Sequence, residues 1–228
     1  MKSNSENQTK SQKNIQRGGV SPSVIQRLPR YFRYLRILMR EGKTRISSGE
    51  LSERMNVTAS QIRQDLNCFG GFGQQGYGYN INYLYAKICE LLGVGAGLTA
   101  IIVGAGNLGR AIVRSSMFEK RGVDVVGMFD VNPLLVGQDV DGVMVYPLSE
   151  LERFCRENTV DLAVLTLPKE SAASSAAELL SYGVKGFWNF TGQELCLGDD
   201  AVVENVHLGD SLMTLCYRLC SKEDRHDK

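Results

Sequence analysis

Histidine is scarce in this sequence of 228 residues, which contains only His207 and His226. Many zinc sites and much general acid–base catalysis use histidine, so two histidines leave little material for either. The six cysteines form no C-x-x-C pair. They lie at Cys68, Cys89, Cys155, Cys196, Cys216 and Cys220. The sequence therefore predicts no metal site and no catalytic residue.

A long apolar segment is also missing. No stretch contains 18 uninterrupted apolar residues, and the first twenty residues are mostly Ser, Asn, Gln and Lys. We therefore expect a protein that is neither secreted nor inserted in a membrane. In the reducing cytoplasm its cysteines would stay free thiols.

Charge is distributed unevenly along the chain. Residues 1–80 contain 13 Lys and Arg against 5 Asp and Glu, a net charge of +8, whereas residues 81–228 contain 13 against 20, a net charge of −7. A basic half in a nearly neutral protein favours nucleic acid as the partner of that half. A solvated basic surface is the alternative that charge alone leaves open.

The basic half begins with a polar segment, residues 1–20, which we interpret as a disordered tail. Apolar residues then recur at helical spacing from Leu28 to Leu38, and arginines gather on the opposite side. Pro29 fits the first turn of this predicted helix, and Gly42 fits its end.

Two capping-box motifs, one from Ser47 to Glu50 and one from Thr58 to Gln61, predict the starts of two further helices. We expect helices of about eight and about twelve residues, the second ending at Gly70, with a short turn at 55–57. This is the spacing of a helix-turn-helix, in which the second helix enters the major groove of DNA.

The segment GGFGQQGYGYNI, residues 70–81, follows directly and alternates aromatic residues with glycine, which predicts a hairpin. A hairpin after a recognition helix is the wing of a winged helix. We expect the DNA contacts to come from the first helix, the recognition helix and the wing. They are Arg27, Arg30, Arg33, Ser60, Gln61, Arg63, Gln64, Asn67, Gln74, Gln75 and Tyr77.

From Thr99 the pattern changes to short apolar strands that alternate with helices. Strands are predicted at 99–103, 123–129, 161–166 and 185–189, and helices at about 107–120, 149–157, 170–182 and 209–221. Alternation of this kind predicts an α/β domain with a parallel sheet and helices on both faces. A linker helix over 82–92, capped by Asn80 or Asn82 and closed by Gly93, would join the two parts.

A glycine motif opens the α/β part. Gly104-Ala105-Gly106-Asn107-Leu108-Gly109 matches G-x-G-x-x-G between a predicted strand and a predicted helix. The glycines allow a tight turn, a close approach to a pyrophosphate and close packing of the helix. Asp130 lies 21 residues beyond Gly109, where an acid binds the adenine ribose hydroxyls and repels the extra phosphate of NADP. NAD or NADH is therefore the predicted cofactor.

Ligands of open α/β sheets lie at the carboxyl ends of the strands. This rule adds the segments after the later strands to the predicted cofactor site. The whole set is Gly104, Ala105, Gly106, Asn107, Leu108, Gly109, Asp130, Val131, Thr166, Pro168, Asn189 and Phe190. For Phe190, a place in the hydrophobic core is an equal alternative.

An NAD-dependent enzyme is not expected. Too few residues remain outside the two parts for a substrate domain, and no histidine lies within the nucleotide-binding core. Tyr182 and Lys185 are three residues apart, one short of the i, i+4 spacing used by Tyr-Lys reductases.

The last predicted helix, from Gly209, carries apolar residues at Leu212, Leu215, Cys216 and Leu219. The helix either docks on its own domain or is exchanged with a second subunit, and helix-turn-helix proteins usually bind DNA as dimers. The domain organisation that we predict is a tail (1–20), a winged-helix domain (21–82), a linker helix and loop (83–98), a Rossmann domain (99–207) and a C-terminal helix and tail (208–228).

Taken together, these stretches resemble the Rex family of redox-sensing transcriptional repressors from about Ser21 to the C-terminal helix. The matching segments are RLPRYFRYL (27–35), SGELSERMNVTASQIRQDLNCFG (48–70), GYGYNI (76–81), VGAGNLGRAI (103–112), FDVNPLLVG (129–137), GVMVYPLSEL (142–151) and GVKGFWNF (183–190). The resemblance implies a homodimer with exchanged C-terminal helices that binds double-stranded operator DNA. It further implies that NADH closes the dimer and releases the operator, whereas NAD⁺ permits binding.

The chain departs from the family pattern at several positions. Gln64 stands where the resemblance leads us to expect Lys or Arg, Gln74 and Gln75 where basic residues are common, Ser115 where Tyr is expected and His207 where Asp is expected. The loss of basic residues keeps one alternative open, a repurposed NAD(H)-binding dimer with weakened DNA binding.

Overall fold

The computed structural model describes residues 20–69, 73–74 and 78–223, with the backbone alone at 73–74 and 222–223. The chain divides after Val94 into two compact units, an N-terminal one and a C-terminal one from Gly95. Each unit is described separately.

The N-terminal unit is a helix-turn-helix followed by a hairpin. Its elements are α1 (Pro22–Arg40), β1 (Arg45–Ile46), α2 (Ser48–Met55), α3 (Ala59–Asn67), β2 (Gly73–Gln74), β3 (Gly78–Asn80) and α4 (Ile81–Leu92). β3 pairs antiparallel with both β1 and β2. The predicted winged helix is therefore confirmed, and β1 is an additional strand that the sequence pattern did not predict.

Local hydrogen bonds explain where the helices of this unit begin. The Ser47 hydroxyl accepts from the backbone N–H of Glu50, and the Glu50 carboxylate accepts from the backbone N–H of Ser47, which completes the predicted capping box. Thr58 accepts from the N–H of Gln61 at the start of α3, but the Gln61 side chain binds Asp65, so the second predicted capping box is only half formed. The amide side chain of Asn80 caps α4.

Two details of the first three helices differ from the prediction. Pro29 lies inside α1, because the helix already begins at Pro22, and it has no N–H to donate to the carbonyl of Ile25 one turn earlier. Helix α3 ends at Asn67 and is therefore shorter than about twelve residues; Cys68 follows it as the cap. Gly70, the predicted end of this helix, lies outside the described residues.

Helix α4 packs into the core of the N-terminal unit. Ile81, Leu84 and Ile88 are buried and belong to the same cluster as Leu28 and Leu35 of α1. Burying a side chain of this size contributes about 1.5–3 kcal/mol. The helix is thus held by apolar contacts within this unit.

The C-terminal unit is built on a seven-stranded sheet. Its elements are β4 (Leu98–Val103), α5 (Asn107–Arg114), β5 (Val123–Asp130), β6 (Asp139–Val140), β7 (Val143–Pro147), α6 (Leu151–Glu157), β8 (Leu162–Leu165), α7 (Lys169–Ser181), β9 (Gly186–Asn189), β10 (Val202–Asn205) and α8 (Leu208–Glu223). The strand order is β10-β9-β8-β4-β5-β7-β6, parallel except for β6 at one edge.

The sheet is covered on both faces. Ile101 and Val103 of β4 belong to one buried cluster, and their neighbours Ala100 and Ile102 belong to another. Because successive side chains of a strand point to opposite faces, these two clusters lie on opposite sides of the sheet. The predicted α/β architecture is confirmed.

Three strands and one helix end differ from the prediction for this unit. β6, β7 and β10 were not predicted: β6 has only two residues, β10 (VVEN) alternates little, and β7 (VMVYP) is an apolar run that the sequence analysis did not assign to a strand. Helix α5 ends at Arg114 rather than near 120, because Ser115 is extended and a 3₁₀ turn, Glu119–Arg121, follows.

Helix α8 makes little contact within its own unit. Every residue from Leu208 to Cys220 is exposed, including Leu212, Leu215 and Leu219.

Among the described residues, no helix is long and apolar enough to cross a membrane.

Candidate cofactor site and DNA-binding surface

The glycine motif forms a tight turn between β4 and α5. Gly104 has a φ of +106°, a conformation that favours glycine, and a Cβ there would lie 2.5 Å from the carbonyl oxygen of Thr166. A Cβ on Gly109 would lie 2.1 Å from the carbonyl oxygen of Gly104. These two glycines therefore allow the turn and the close packing of the helix.

Gly106 is in a different situation. It is the residue before α5, with ordinary extended backbone angles, and no atom lies within 4 Å of the Cβ that another residue would place there. The protein itself does not require glycine at this position. A ligand phosphate at the N-terminus of α5 would require it, because the helix N-terminus attracts anions and a side chain would fill the space.

Asp130 ends β5 beside this turn. Its Oδ2 accepts from the backbone N–H of Ala105 at 2.6 Å, and its Oδ1 accepts from the backbone N–H of Asn132 at 2.8 Å. Each carboxylate oxygen can accept a second hydrogen bond. The acid can therefore hold the loop and still accept hydrogen bonds from two ribose hydroxyls.

One cavity of about 320 Å³ joins these elements. Six predicted residues line it, namely Gly104, Gly106, Asp130, Val131, Thr166 and Pro168. The Thr166 hydroxyl donates to the carbonyl of Gly104 at 2.7 Å and so fixes the edge of the turn. The sequence reasoning missed Asn132, Leu135 and Leu148, which also line the cavity. The position of Asn132 and Leu135 after the predicted strand 123–129 was the available signal, whereas Leu148 follows β7, which was not predicted.

Asn189 and Phe190 do not line this cavity. The Asn189 side chain is buried, and its amide donates to the carbonyl of Gln193 at 2.6 Å and to Oδ1 of Asn205 at 2.7 Å. Its own oxygen accepts from the backbone N–H and the hydroxyl of Thr191. Asn189 thus holds the loop after β9 in place. The Phe190 ring packs against Trp188, with ring centroids 4.7 Å apart.

A polar network continues from this loop toward α8. The Asn205 amide donates to Oε2 of Glu194 at 2.8 Å, and Nε2 of His207 lies 2.8 Å from Oε1 of the same carboxylate. The sequence contains no motif that predicts these contacts, because they join residues that are 11 and 13 positions apart, which is not a helix or strand period.

In the N-terminal unit, a buried carboxylate ties α3 to α1. Asp65 accepts from Nε and Nη2 of Arg27, both at 2.7 Å, from the hydroxyl of Tyr31 at 2.9 Å and from the amide of Gln61 at 2.8 Å. The Asp65 side chain is 0% exposed. Buried charges are tolerated when they are paired and fully hydrogen-bonded, as this one is.

The network also shifts two pKa values. Burial alone would raise the pKa of Asp65, but the hydrogen bonds from Arg27, Gln61 and Tyr31 outweigh burial and hold the pKa below its usual value. Burial and the hydrogen bond to Asp65 raise the pKa of the Tyr31 hydroxyl. Asp65 is therefore charged and Tyr31 neutral at neutral pH.

The arginines predicted to contact DNA are partly engaged within the unit. Besides Arg27, the Arg30 guanidinium donates to the carbonyl of Met55, and Nη1 of Arg63 donates to the hydroxyl of Ser48 at 3.0 Å. The Arg33 guanidinium lies 5.6 Å from the centre of the Tyr34 ring and is exposed. Arg27 and Gln61 thus have a positioning role that the sequence did not reveal, and their contact with DNA stays a prediction.

The outer face of α3 carries Ser60, Arg63, Gln64 and Asn67, all exposed, opposite the buried Ile62 and Leu66. Gln75 and Tyr77 of the predicted wing lie outside the described residues, as does the side chain of Gln74.

Within the described part of the chain, no group of three or more His, Cys, Asp or Glu residues is arranged to hold a metal ion.

Two family models match the chain. One, described as putative DNA-binding protein N-terminus, matches residues 19–67, and the other, described as CoA binding domain, matches residues 98–192. The two matches fall in the two structural units.

Full-length relatives are similar over nearly the whole chain. The redox-sensing transcriptional repressor Rex of Caldanaerobacter subterraneus subsp. tengcongensis is 51% identical over 204 residues, covering 90% of this chain and 91% of the relative. Rex of Clostridium botulinum strain Alaska E43 is 47% identical over 200 residues, covering 88% and 95%.

Solved structures of related proteins are also similar to this chain over nearly its whole length. RSP in complex with β-NAD⁺ and operator DNA superimposes with a TM-score of 0.84 at 50% identity, covering 91% of this chain and 96% of that one. RSP in complex with β-NADH superimposes with a TM-score of 0.85 at 47% identity, covering 91% and 98%. A further RSP structure is described as a Rex-family repressor.

Proposed function

This chain belongs to the Rex family of redox-sensing transcriptional repressors, and we propose that it represses transcription by binding operator DNA until NADH releases it. It acts as a homodimer, with the winged helix on double-stranded DNA and NADH or NAD⁺ in the C-terminal unit. It is a repressor and not an enzyme.

One observation carries the proposal. The chain combines a winged helix with a nucleotide cavity in which Gly106 leaves open space at a helix N-terminus and Asp130 offers acceptors for ribose. Relatives with about half of their residues identical were solved with β-NAD⁺ and operator DNA and with β-NADH. The residues present therefore fit a dinucleotide.

The cofactor residues divide into four groups. The turn from Gly104 to Gly109 would hold the pyrophosphate through backbone N–H groups, and Asp130 would accept from the adenine ribose. Val131, Thr166 and Pro168 would line the walls. Asn189 and Phe190 belong to the segment that we assign to the nicotinamide end, where Asn189 acts by shaping its loop. The bound cofactor supplies the redox signal, which is its own oxidation state.

The DNA-binding surface would consist of the outer face of α3, the arginines of α1 and the wing. Arg33 and Arg63 would neutralise phosphates, which is supported by the exposure of Arg33 and by the single neutral contact of Arg63, since DNA could replace that contact. Phosphate contacts fix the register, whereas base contacts select the sequence.

Regulation follows from linkage. If NADH prefers one arrangement of the dimer and DNA prefers another, each ligand weakens the other by the same factor. A dimer that reads half-sites one helical turn apart, about 34–36 Å, tolerates little change in the separation of its winged helices. Differential binding of NADH and NAD⁺ to the two arrangements then converts the redox state into occupancy of the operator. We expect the protein in the cytoplasm, where operator DNA is accessible.

A gel-shift experiment tests the proposal. The full-length protein should bind an imperfect palindrome selected from random DNA, NADH should release it, and NAD⁺ should leave it bound. A Gly106→Val variant should bind the same DNA and ignore NADH. Binding of cofactor without any binding of selected DNA would instead favour the repurposed dimer with weakened DNA binding.

A further inference from the structure

Gln64 is the exposed amide at the middle of the outer face of α3. Within the described part of the chain its side chain has no hydrogen-bond partner, whereas the amide of Gln61, three residues earlier, is bound to Asp65. An amide that already has a partner in the free protein would have to break a hydrogen bond before contacting a base. With respect to the described residues, Gln64 has its donor and its acceptor available.

The direction of Gln64 is fixed by the residue that follows it. Asp65 is buried and receives a two-point contact from the Arg27 guanidinium together with the Tyr31 hydroxyl, so α3 cannot rotate about its axis without breaking this network. Bidentate ion pairs between arginine and a carboxylate constrain geometry as well as contributing energy. Burial of Ile62 and Leu66 on the same side adds a second constraint. The backbone of Gln64 is therefore presented outward in one orientation.

A glutamine amide has a specific partner in the major groove. Its N–H can donate to N7 of adenine while its carbonyl accepts from the N6 amine, a bidentate pair that no other base offers in the same pattern. A lysine at the same position would favour guanine, and a glutamate would accept from the N4 amine of cytosine. The two charged residues next to Gln64 in the chain are already engaged within the protein. The Asp65 carboxylate is buried, and Nη1 of Arg63 donates to the hydroxyl of Ser48.

We infer that Gln64 reads an adenine of each operator half-site through this bidentate contact, and that Asp65 and Arg27 are the positioning residues that hold it in place. The inference rests on the proposed function and deepens it, since it names the base that this recognition helix selects.

Selection from a library of randomised half-sites is the first experiment, carried out with the full-length dimer without NADH. The wild-type protein should enrich adenine at one position of each half-site. Gln64→Glu is nearly isosteric and should change the preference at that position alone to cytosine, whereas Gln64→Lys should change it to guanine. Because Gln64 is exposed, all variants should keep the thermal midpoint of the wild type.

Single-atom changes in the DNA provide the sharper test. Replacing the selected adenine by 7-deazaadenine removes the N7 acceptor, and replacing it by purine removes the N6 amine. Each should weaken wild-type binding by a factor within the range of about 5- to 150-fold for a bidentate pair. Neither should affect Gln64→Ala further. Gln26→Ala, an exposed amide on α1, serves as the matched control and should respond to both analogues like the wild type.

The outcomes separate the inference from the function on which it rests. If Gln64→Ala keeps the same base preferences and the same losses with both analogues, Gln64 does not read adenine, although NADH-sensitive binding of the operator would stand. If the wild-type protein binds no selected DNA, the proposed function and the inference both fail. A second readout tests the positioning role: Arg27→Lys should reduce the preference for adenine more than it reduces binding to unselected DNA.

Discussion

The backbone N–H of Ala105 donates to Oδ2 of Asp130 at 2.6 Å and thereby joins the glycine turn to the end of the neighbouring strand. The same carboxylate accepts from Asn132 through its other oxygen. Asp130 thus holds the loop on which the pyrophosphate would lie, and in the proposed site it would also accept from the adenine ribose. A single change at this residue affects both.

Asp130→Asn should weaken NADH binding by about 10- to 100-fold, since hydrogen bonds to a charged acceptor contribute about 1.5–3 kcal/mol. NADPH binding should weaken less or improve, because the repulsion of the 2′-phosphate is lost. Titration followed by the fluorescence of Trp188, the single tryptophan, measures both. Asp124→Asn, an exposed acid at the other end of the same strand, is the control. Unchanged NADH affinity would contradict the assigned ribose contact.

Gly106→Val and Gly109→Val should separate cofactor binding from folding. At Gly106 the structure has room, so the thermal midpoint should change by no more than about 2 °C while NADH binding is lost. At Gly109 the new Cβ meets the backbone of Gly104, and overpacking of this kind costs about 1–3 kcal/mol or more. Thermal unfolding and NADH titration of both variants provide the check. Retained NADH binding by Gly106→Val would exclude a phosphate at this turn.

The features predicted from the sequence depend on local patterns. The glycine turn, the following helix and Asp130 stand at fixed spacings along the chain, and the capping box from Ser47 to Glu50 lies within four residues. The partner of Arg27 is 38 residues away, so an arginine on the polar side of a helix was assigned to DNA although it binds Asp65. Asn189 was assigned to the cofactor site because it ends a predicted strand. Its contacts with Gln193 and Asn205 depend on tertiary structure, so the sequence pattern did not reveal them.

Helix α8 provides a test of the dimer. Leu212 and Leu219 are exposed within one chain, and a second subunit would bury them. The double variant Leu212→Asp, Leu219→Asp should therefore be monomeric by light scattering, and it should lose operator binding because one winged helix contacts one half-site only. Thr214→Asp places a charge on the opposite side of the helix and should leave a dimer. A dimeric double variant would mean that α8 is not the contact between subunits.

The Arg27–Asp65 pair predicts how the stability of the N-terminal unit depends on pH. Because the pKa of Asp65 is lowered in the folded protein, the pair stabilises fully above the pKa of an unfolded aspartate, about 3.9. This stabilisation is lost as the pH falls through the lower, folded pKa. Asp65→Asn should therefore reduce the free energy of unfolding at pH 7, by about 1.5–3 kcal/mol, because hydrogen bonds to a charged group are lost while the remaining Arg27 is partly exposed to solvent.

The measurement is urea unfolding of the full-length protein at several pH values, with the Tyr31 ring resonance in NMR spectra as the signal of the N-terminal unit. The difference between the wild type and Asp65→Asn should be constant from pH 7 to about pH 5 and should shrink toward zero in stronger acid. Glu53→Gln, an exposed acid of α2, should follow the wild type throughout. A difference of equal size at pH 7 and pH 2.5 would show that the loss arises from packing and not from the charge of Asp65.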